Sequence, residues 1–249
     1  MPAETVLILT PVKDAAAHLE TYFAAIERLA YPSISLGILE SDSTDGTFAL
    51  LQQEIARIRP RLRAASLFKR DFGFRLPPGI PRWAAPLQPV RRSILARSRN
   101  QLLFRALDDE AWVLWLDVDV IEYPPDVIER LLAAGKDIVT PNCVYDYGGP
   151  SFDLNAWRDH GKLHLHDLRA EGELVPLDAV GGTMLLVRAD VHRDGLIFPH
   201  YPYGLANPRI RTNNYWRGEL ETEGLGIMAA DAGVQCWGMP HLEIKHHPR

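Results

Sequence analysis

The chain has 249 residues, 47% hydrophobic and 24% charged, which is enough to bury one large α/β core and too apolar for a disordered polymer. A net charge of -5 argues against a general nucleic-acid binder, and two isolated cysteines, Cys143 and Cys236, exclude a disulfide framework or a cysteine zinc site. The start Met1-Pro2-Ala3-Glu4-Thr5 carries no positive charge, and the apolar run after it is far shorter than a signal or a membrane span. A cytoplasmic protein, free or peripheral at a membrane, is the expectation.

Val6 to Leu9 reads as the first strand, followed by Thr10-Pro11-Val12-Lys13-Asp14 and a helix carrying Leu19, Tyr22, Phe23, Ile26 and Leu29. Ile34 to Leu39 reads as the second strand. It runs into Glu40-Ser41-Asp42-Ser43-Thr44-Asp45-Gly46-Thr47, rich in caps and turn formers, before a helix whose Phe48, Leu51, Ile55 and Ile58 share one face. The carboxylates of Glu40 and Asp42 either cap that helix or accept hydrogen bonds from a nucleotide base or ribose. A third strand falls near Ala64 to Phe68. From Gly73 to Pro89, five prolines and two glycines break any periodicity, so this stretch reads as a loop, with an ordered lid over a site as its candidate role.

A helix is expected over Arg91 to Leu107, with Leu95, Leu102, Leu103 and Ala106 on its buried side and Arg97, Arg99 and Asn100 on its polar part. Guanidinium groups there suit a diphosphate through paired hydrogen bonds, and the amide suits a ribose or a carboxylate; a plain solvated basic face is the competing reading. The next stretch, Val113-Leu114-Trp115-Leu116-Asp117-Val118-Asp119-Val120, is the most informative in the chain. Its apolar run reads as a buried strand. Because a buried sheet does not tolerate two neighbouring unpaired charges, Asp117 and Asp119 are expected where the strand meets solvent, facing a cation. Oxygen ligands suit a hard ion, Mn²⁺ or Mg²⁺, that keeps positions open for substrate phosphates, which is the Asp-x-Asp arrangement of nucleotide-sugar-dependent glycosyltransferases. The competing reading is an acidic turn before the helix that starts near Pro124-Pro125.

The alternation of short strands with amphipathic helices predicts an α/β fold with a mostly parallel central sheet and helices on both faces. In such sheets ligands collect at the carboxyl ends of strands. Thr10, Pro11 and Lys13, Glu40 and Asp42, and Asp117 are therefore expected to converge on a nucleotide sugar. Two motifs carry less. Gly224-Leu225-Gly226-Ile227-Met228-Ala229 matches a dinucleotide fingerprint, but the charged Arg217 to Glu223 before it cannot be the buried strand that motif needs. His160, His164 and His166 lack a well-spaced third ligand for zinc and read as solvent-facing loop histidines.

Several segments of the C-terminal part resemble the fungal Golgi mannan-polymerase subunit family of α-mannosyltransferases. They are Val175-Pro176-Leu177-Asp178-Ala179-Val180-Gly181-Gly182-Thr183-Met184-Leu185-Leu186-Val187, Glu221-Thr222-Glu223-Gly224-Leu225-Gly226-Ile227-Met228-Ala229, Leu196-Ile197-Phe198-Pro199, Gly238-Met239-Pro240-His241 and His246 beyond Leu242. Phe152-Asp153-Leu154-Asn155-Ala156-Trp157 and the Ala96-Arg97-x-x-Asn100 helix belong to the same resemblance, which spans nearly the whole chain in order. It implies one GT-A domain over 1–249, Rossmann-like, with a nucleotide-binding half (1–120) and an acceptor-binding half (121–249). It also implies GDP-mannose as donor and retention at the anomeric carbon.

By that analogy Asp119 and His246 ligate the metal, Asp117 binds the metal or the ribose, and Glu40 and Asp42 serve the nucleotide. Glu221 and Glu223, at the start of a helix running to Ala232, are the acceptor-side candidates, with Glu223 preferred; complementing the helix dipole is their plainer role. Gly181-Gly182 lets backbone amides approach sugar or acceptor, or is a turn before the strand Met184 to Val187. Asp178 is a candidate for donor hydroxyls. The fungal proteins carry a membrane anchor, which is not expected here, and the stretches Gly73 to Pro89 and Asp159 to Glu173 have no match. A UDP-sugar donor and a non-catalytic nucleotide-binding or scaffold subunit are the rival readings. A nucleotidyltransferase is disfavoured because Thr10-Pro11-Val12-Lys13-Asp14 contains no glycine for a phosphate loop.

Overall fold

A computed structural model describes residues 4–77, 79–81, 84–205, 207–208 and 218–248. The N-terminal part alternates strictly, through β1 (Val6–Val12), α1 (Leu19–Glu27), β2 (Ile34–Glu40), α2 (Thr47–Ile58), β3 (Ala64–Lys69), α3 (Gln88–Ala106) and β4 (Trp112–Leu116). There follow β5 (Val120–Glu122), α4 (Val127–Ala133), β6 (Ile138–Val144), a small hairpin of β7 (Trp157–Arg158) and β8 (Leu163–His164), and β9 (Val175–Leu177). The chain then forms β10 (Met184–Arg188), α5 (Ala189–Arg193), α6 (Glu221–Asp231) and β11 (Cys236–His246).

One nine-stranded sheet runs β3-β2-β1-β4-β10-β6-β11-β5, with β9 added beside β11. β1 pairs in parallel with β2 and β4, as do β2 with β3 and β6 with β11, while β10 lies antiparallel between β4 and β6. The mixed α/β fold with a mostly parallel sheet is thus the observed one. Successive residues of β1 explain the two layers. Val6 and Ile8 join Leu36, Ile38 and Leu114 under α1, α2 and α4, whereas Leu7 and Leu9 join Val113 and Trp115 under α3, α5 and α6. Among the described residues no helix is long and apolar enough to cross a membrane.

Two boundaries moved for identifiable reasons. β1 continues past Leu9 through Pro11 because β4 pairs with it only up to Leu9, so the N–H that proline lacks is not needed on that side. α3 starts three residues before Arg91, at Gln88, with Pro89 in its first turn, where a missing N–H costs nothing.

Register brings the chemistry together. Met184 lies opposite Leu116, so Gly181-Gly182-Thr183, which precede β10, land beside the end of β4, and the Asp117 N–H donates to the Thr183 carbonyl at 2.9 Å. At the far side His246, the last residue of β11, pairs with Val120 just after Asp119.

Candidate active site

A cavity of about 320 Å³ opens at this end of the sheet, walled by α3, the end of β4, the 152–155 segment and the start of α6. Asp117 and Asp119 leave β4 into it. His246 presents Nε2 to Asp119 Oδ2 at 3.1 Å; its Nδ1 lies 2.7 Å from the His247 carbonyl, and its ring lies against Phe152, tilted by 31° with centroids 3.8 Å apart. Burial works against a protonated imidazole here, but the hydrogen bond and charge of Asp119 outweigh it and hold His246 above its ordinary pKa.

Arg99 crosses the floor. Its Nη2 donates to Asp117 Oδ1 at 2.9 Å and to the Gly182 carbonyl at 3.3 Å, and its Nε donates to Glu221 Oε1 at 2.8 Å. Its remaining nitrogen, Nη1, is buried with no partner among the described groups. Burial pushes the Asp117 carboxyl up from 3.8 to about 7 against the pull of Arg99, and the nearby charges of Asp119, Glu221 and Asp153 add to the rise, although 31% of its side chain is open to the cavity. Glu221 behaves oppositely: burial would raise it, but Arg99 and then Arg92 hold it below the ordinary carboxylate range.

The Gly181-Gly182 turn is as tight as it can be. A Cβ on Gly181 would sit 2.1 Å from Asp153 Oδ2, and one on Gly182 would sit 2.6 Å from Arg99 Nη2. That closeness lets Asp153 Oδ2 accept the Gly182 N–H at 3.0 Å, the Thr183 N–H at 3.3 Å and the Thr183 hydroxyl at 3.0 Å. Glu221 enters α6 at φ +56°, a left-handed conformation that costs a non-glycine residue on the order of 1–3 kcal/mol, so its ion pairs also hold a strained backbone.

Of the residues singled out from the sequence, Arg99, Asp117, Asp119, Gly182, Glu221 and His246 line this cavity, and Gly181 packs against its Asp153 wall. Pro11 and Lys13 line an adjoining cavity of about 120 Å³ that shares Arg91 and Leu95 with it. The others have local partners. The Thr10 hydroxyl is buried between Tyr22 Oη at 2.5 Å and the Leu116 carbonyl at 2.8 Å, fastening β1 to the end of β4. Glu40 is fully buried, accepting from Lys69 Nζ at 2.6 Å and the Ser43 N–H at 2.9 Å. The Asp42 carboxylate faces the backbone of residues 72–74. Arg97 is exposed and lies over Phe72, 5.3 Å from the ring centre. Asn100 clamps Phe198, donating to its carbonyl at 2.8 Å and accepting its N–H at 2.9 Å. Asp178 accepts the Asp159 N–H at 2.9 Å.

Glu223 does not reach the cavity: it is fully buried behind Glu221, ion-paired with Arg92 and accepting the Trp157 Nε1–H at 3.0 Å. The preference for Glu223 on the acceptor side therefore meets a different geometry, in which Glu221 forms the wall. The polar part of α3 is likewise corrected. Arg92, Arg99 and Asn100 are buried, the two arginines because they meet an acidic cluster and the amide because it pairs with the Phe198 backbone. Arg92 and Asp153 escaped notice in the sequence, yet Arg92 lies two helical turns before Arg99 on the same face, and Asp153 sits in the Phe152 to Trp157 segment. The Gly224 to Ala229 stretch lies inside α6 and is no phosphate loop. His164 and His166 stack with ring centres 6.0 Å apart, but His166 Nδ1 already takes the Ser151 N–H at 3.1 Å.

The donor set fits a hard divalent cation in part. Asp119 Oδ2 and His246 Nε2 stand at the separation of two adjacent ligands on an octahedron with bonds of about 2.1 Å, roughly 3 Å apart. Among the described residues no three His, Cys, Asp or Glu side chains form a cage, so such an ion would draw further ligands from phosphate oxygens and water. His246→Ala is expected to lose Mn²⁺ binding, measured by titration calorimetry, whereas His247→Ala retains it: His246 is buried against Asp119, and His247 is exposed beside His18. Equal loss in both variants would refute this choice of ligand.

The sheet and its flanking helices have the GT-A fold. The mannosyltransferase PcManGT from Pyrobaculum calidifontis, solved in complex with GDP-Man and Mn²⁺, aligns with a TM-score of 0.59 over 98% of this chain and 59% of that one, at 15% identity. Glucosyl-3-phosphoglycerate synthase from Mycobacterium tuberculosis, in complex with phosphoglyceric acid, aligns with a TM-score of 0.50 over 99% and 73%, at 19% identity. The chain belongs to the Anp1 family, whose model matches residues 2–168 and 162–202. It is 31% identical to the anp1 subunit of the Schizosaccharomyces pombe mannan polymerase II complex, over 98% of this chain and 64% of that protein. It is 30% identical to the mannan polymerase complex subunit MNN9 of Candida albicans, over 98% and 75%. The chain thus spans just under two thirds of the length of the first of these relatives.

Proposed function

We propose that the chain is a divalent-cation-dependent transferase that moves a hexosyl group, mannose from GDP-mannose, onto a hydroxyl acceptor with retention at the anomeric carbon. The observation that carries this reading is the meeting of Asp117, Asp119, His246 and Arg99 on one cavity at the carboxyl end of the sheet. Two comparisons support it: the relatives are named as mannan polymerase subunits, and a mannosyltransferase of the same fold was solved with GDP-Man and Mn²⁺. In this reading residues 1–120 carry the nucleotide half and 121–249 the acceptor half.

Cleavage of the anomeric C–O bond leaves negative charge on the departing diphosphate. A Mn²⁺ or Mg²⁺ ion held by Asp119 and His246, with Asp117 beside it, would supply Lewis-acid neutralisation of that charge. Arg99 is paired with Asp117 and Glu221 inside the protein, so its contribution is positional: it holds the Asp117 carboxylate at the edge of the cavity. Every carboxylate lining the cavity is already engaged, Asp117 and Glu221 by Arg99, Asp119 by His246 and Asp153 by the 182–183 backbone. None stands ready as a nucleophile, which supports attack by the acceptor hydroxyl from the face the diphosphate leaves. The O–H and the sugar–phosphate C–O bonds then break as the new glycosidic bond forms, and the proton passes to a leaving phosphate oxygen.

The direct test is incubation of the protein with Mn²⁺ and a panel of GDP- and UDP-sugars, following nucleoside diphosphate release with and without saccharide acceptors. GDP-mannose should turn over fastest, and GDP with Mn²⁺ should raise the melting temperature more than UDP does, through preferential binding to the folded state. A preference for UDP would overturn the sugar donor, and binding without turnover would reduce the chain to a nucleotide-binding subunit. Cation binding should also depend on pH. A carboxyl raised to about 7 is protonated below that pH, and a protonated His246 cannot ligate, so a cation must displace protons there. Mn²⁺ affinity is expected to rise with pH through about 7, where Asp117 loses its proton, with the deprotonation of His246 adding to the rise; a pH-independent affinity between 5 and 8 would remove Asp117 and His246 from the site.

A further inference from the structure

The smaller cavity beside the main one has a wall that the donor reading leaves unexplained. Phe74 lines it together with Ile94, Leu95 and Ser98 of α3, Pro11 of β1 and Lys13 just beyond that strand. Phe74 lies in a stretch without regular secondary structure, yet its backbone is tied down. The Asp42 carboxylate accepts three N–H groups there, from Phe72 at 3.0 Å, Gly73 at 2.9 Å and Phe74 at 3.3 Å. The tie is reciprocal: Asp71 Oδ1 accepts the Asp42 N–H at 2.8 Å, and Lys13 Nζ donates to the Asp42 carbonyl. Asp42 itself sits at φ +57°, a left-handed conformation that the fold maintains against its intrinsic cost.

A carboxylate that satisfies three consecutive amides fixes a loop; it is not left over to read a ligand. What it fixes is the backbone that carries Phe74, at the carboxyl ends of β1 and β2, where this ring shares a cavity with Ile94 and Leu95 of α3, and that cavity shares Arg91 and Leu95 with the one that holds the acidic cluster. The Ser98 hydroxyl on that helix face is buried with no partner among the described groups. A flat, aromatic group carrying polar edges matches such a slot, and the diphosphate end of a nucleotide does not.

We propose that Asp42 is a positioning residue that holds Phe74 as the stacking wall for the base of the nucleotide, so that the base end of the donor is gripped through this pair and not by direct contact with Asp42. The inference rests on the donor reading above and adds to it a split between the two ends of the nucleotide. Loss of the wall weakens binding of the base while leaving the cation and diphosphate end untouched.

The experiment is titration calorimetry with Mn²⁺ plus GDP, and separately with Mn²⁺ plus inorganic pyrophosphate, on the wild-type chain and on Phe74→Ala, Phe74→Tyr and Asp42→Gly. Glycine at position 42 adopts the left-handed backbone without steric strain and deletes the side chain with its carboxylate. GDP affinity is expected to fall about tenfold or more in Phe74→Ala and Asp42→Gly, the scale of one base stacked on an aromatic ring, and to be retained in Phe74→Tyr. Pyrophosphate affinity should be unchanged in all three. Equal losses for GDP and pyrophosphate, or unchanged GDP affinity in Phe74→Ala, overturn the base wall; a loss in Phe74→Ala without one in Asp42→Gly overturns the positioning role. A wild-type chain that binds pyrophosphate but neither GDP nor UDP fails in a different place, at the donor reading itself.

Discussion

Asp119→Ala is expected to bring turnover to background and to remove Mn²⁺-dependent nucleotide binding in a protein that still folds. The side chain is 18% exposed at the cavity, pairs with His246 at 3.1 Å and fills no core volume. Its removal takes away a largely buried pair, but the histidine left behind can release its proton, so the cost in stability stays near that of one buried hydrogen bond, about 1–3 kcal/mol. The loss in rate belongs to a different scale. Removing one preorganised group that stabilises charge developing in a transition state costs on the order of a hundredfold to a thousandfold, and here the group also anchors the cation. Thermal melting, Mn²⁺ calorimetry and nucleoside diphosphate release on the same preparation separate the two effects. Near wild-type turnover in Asp119→Ala would sink the metal assignment, and a collapsed melting transition would make the residue structural.

The contrast between Asp117 and Glu40 indicates what a sequence can reveal about such a site. Both are acidic residues at the carboxyl end of a buried strand, and both were expected to meet the nucleotide. Asp117 opens on the cavity because β4 stops there and the antiparallel β10 brings only the compact Gly181-Gly182 turn alongside it. Glu40 is sealed because its parallel neighbour β3 ends in Lys69, opposite it in register, and the ammonium closes over the carboxylate. Strand periodicity and turn composition made the alternating first part of the sheet legible almost to the residue. The pairing of β10 between β4 and β6 has no local signal, and it decides which carboxylates share a cavity.

α3 illustrates the same limit from the side of a helix. From the sequence its arginines suit either a diphosphate or a solvated basic face, since arginine is seldom buried. Arg97 is exposed, whereas Arg92 and Arg99 are buried because α6, far away in sequence, delivers Glu221 and Glu223 to meet them. Ion pairing across such distances is invisible to any periodicity. Asn100 is a related case: an amide that suits a ribose in isolation is consumed by the backbone of Phe198, which has no counterpart in the local pattern of α3.

That buried pairing sets up the sharpest contrast between neighbouring residues, since Glu221 and Glu223 are two positions apart and should fail in different ways. Glu223→Gln removes the carboxylate paired with Arg92 inside the protein, although Arg92 keeps the Leu220 carbonyl at 3.1 Å and Glu221 at 3.9 Å among its contacts, and breaking a buried ion pair from one side costs about 3–5 kcal/mol. For a domain of this size that is a drop of roughly 6–20 °C in melting temperature, with turnover per folded molecule within about tenfold of wild type. Glu221→Gln leaves both arginines partnered, because Arg99 keeps Asp117 and Arg92 keeps Glu223, so the melting temperature should fall by only a few degrees. What it removes is a negative charge on the cavity wall, aimed through Arg99 at Asp117. If that charge stabilises the electron-poor anomeric carbon or orients the acceptor hydroxyl, turnover falls on the order of a hundredfold while donor affinity holds within a few-fold. Melting curves, GDP affinity and turnover for both variants decide the matter. The opposite pattern, with Glu223→Gln slow but stable and Glu221→Gln unstable but active, would move the acceptor-side role one layer deeper than the cavity wall.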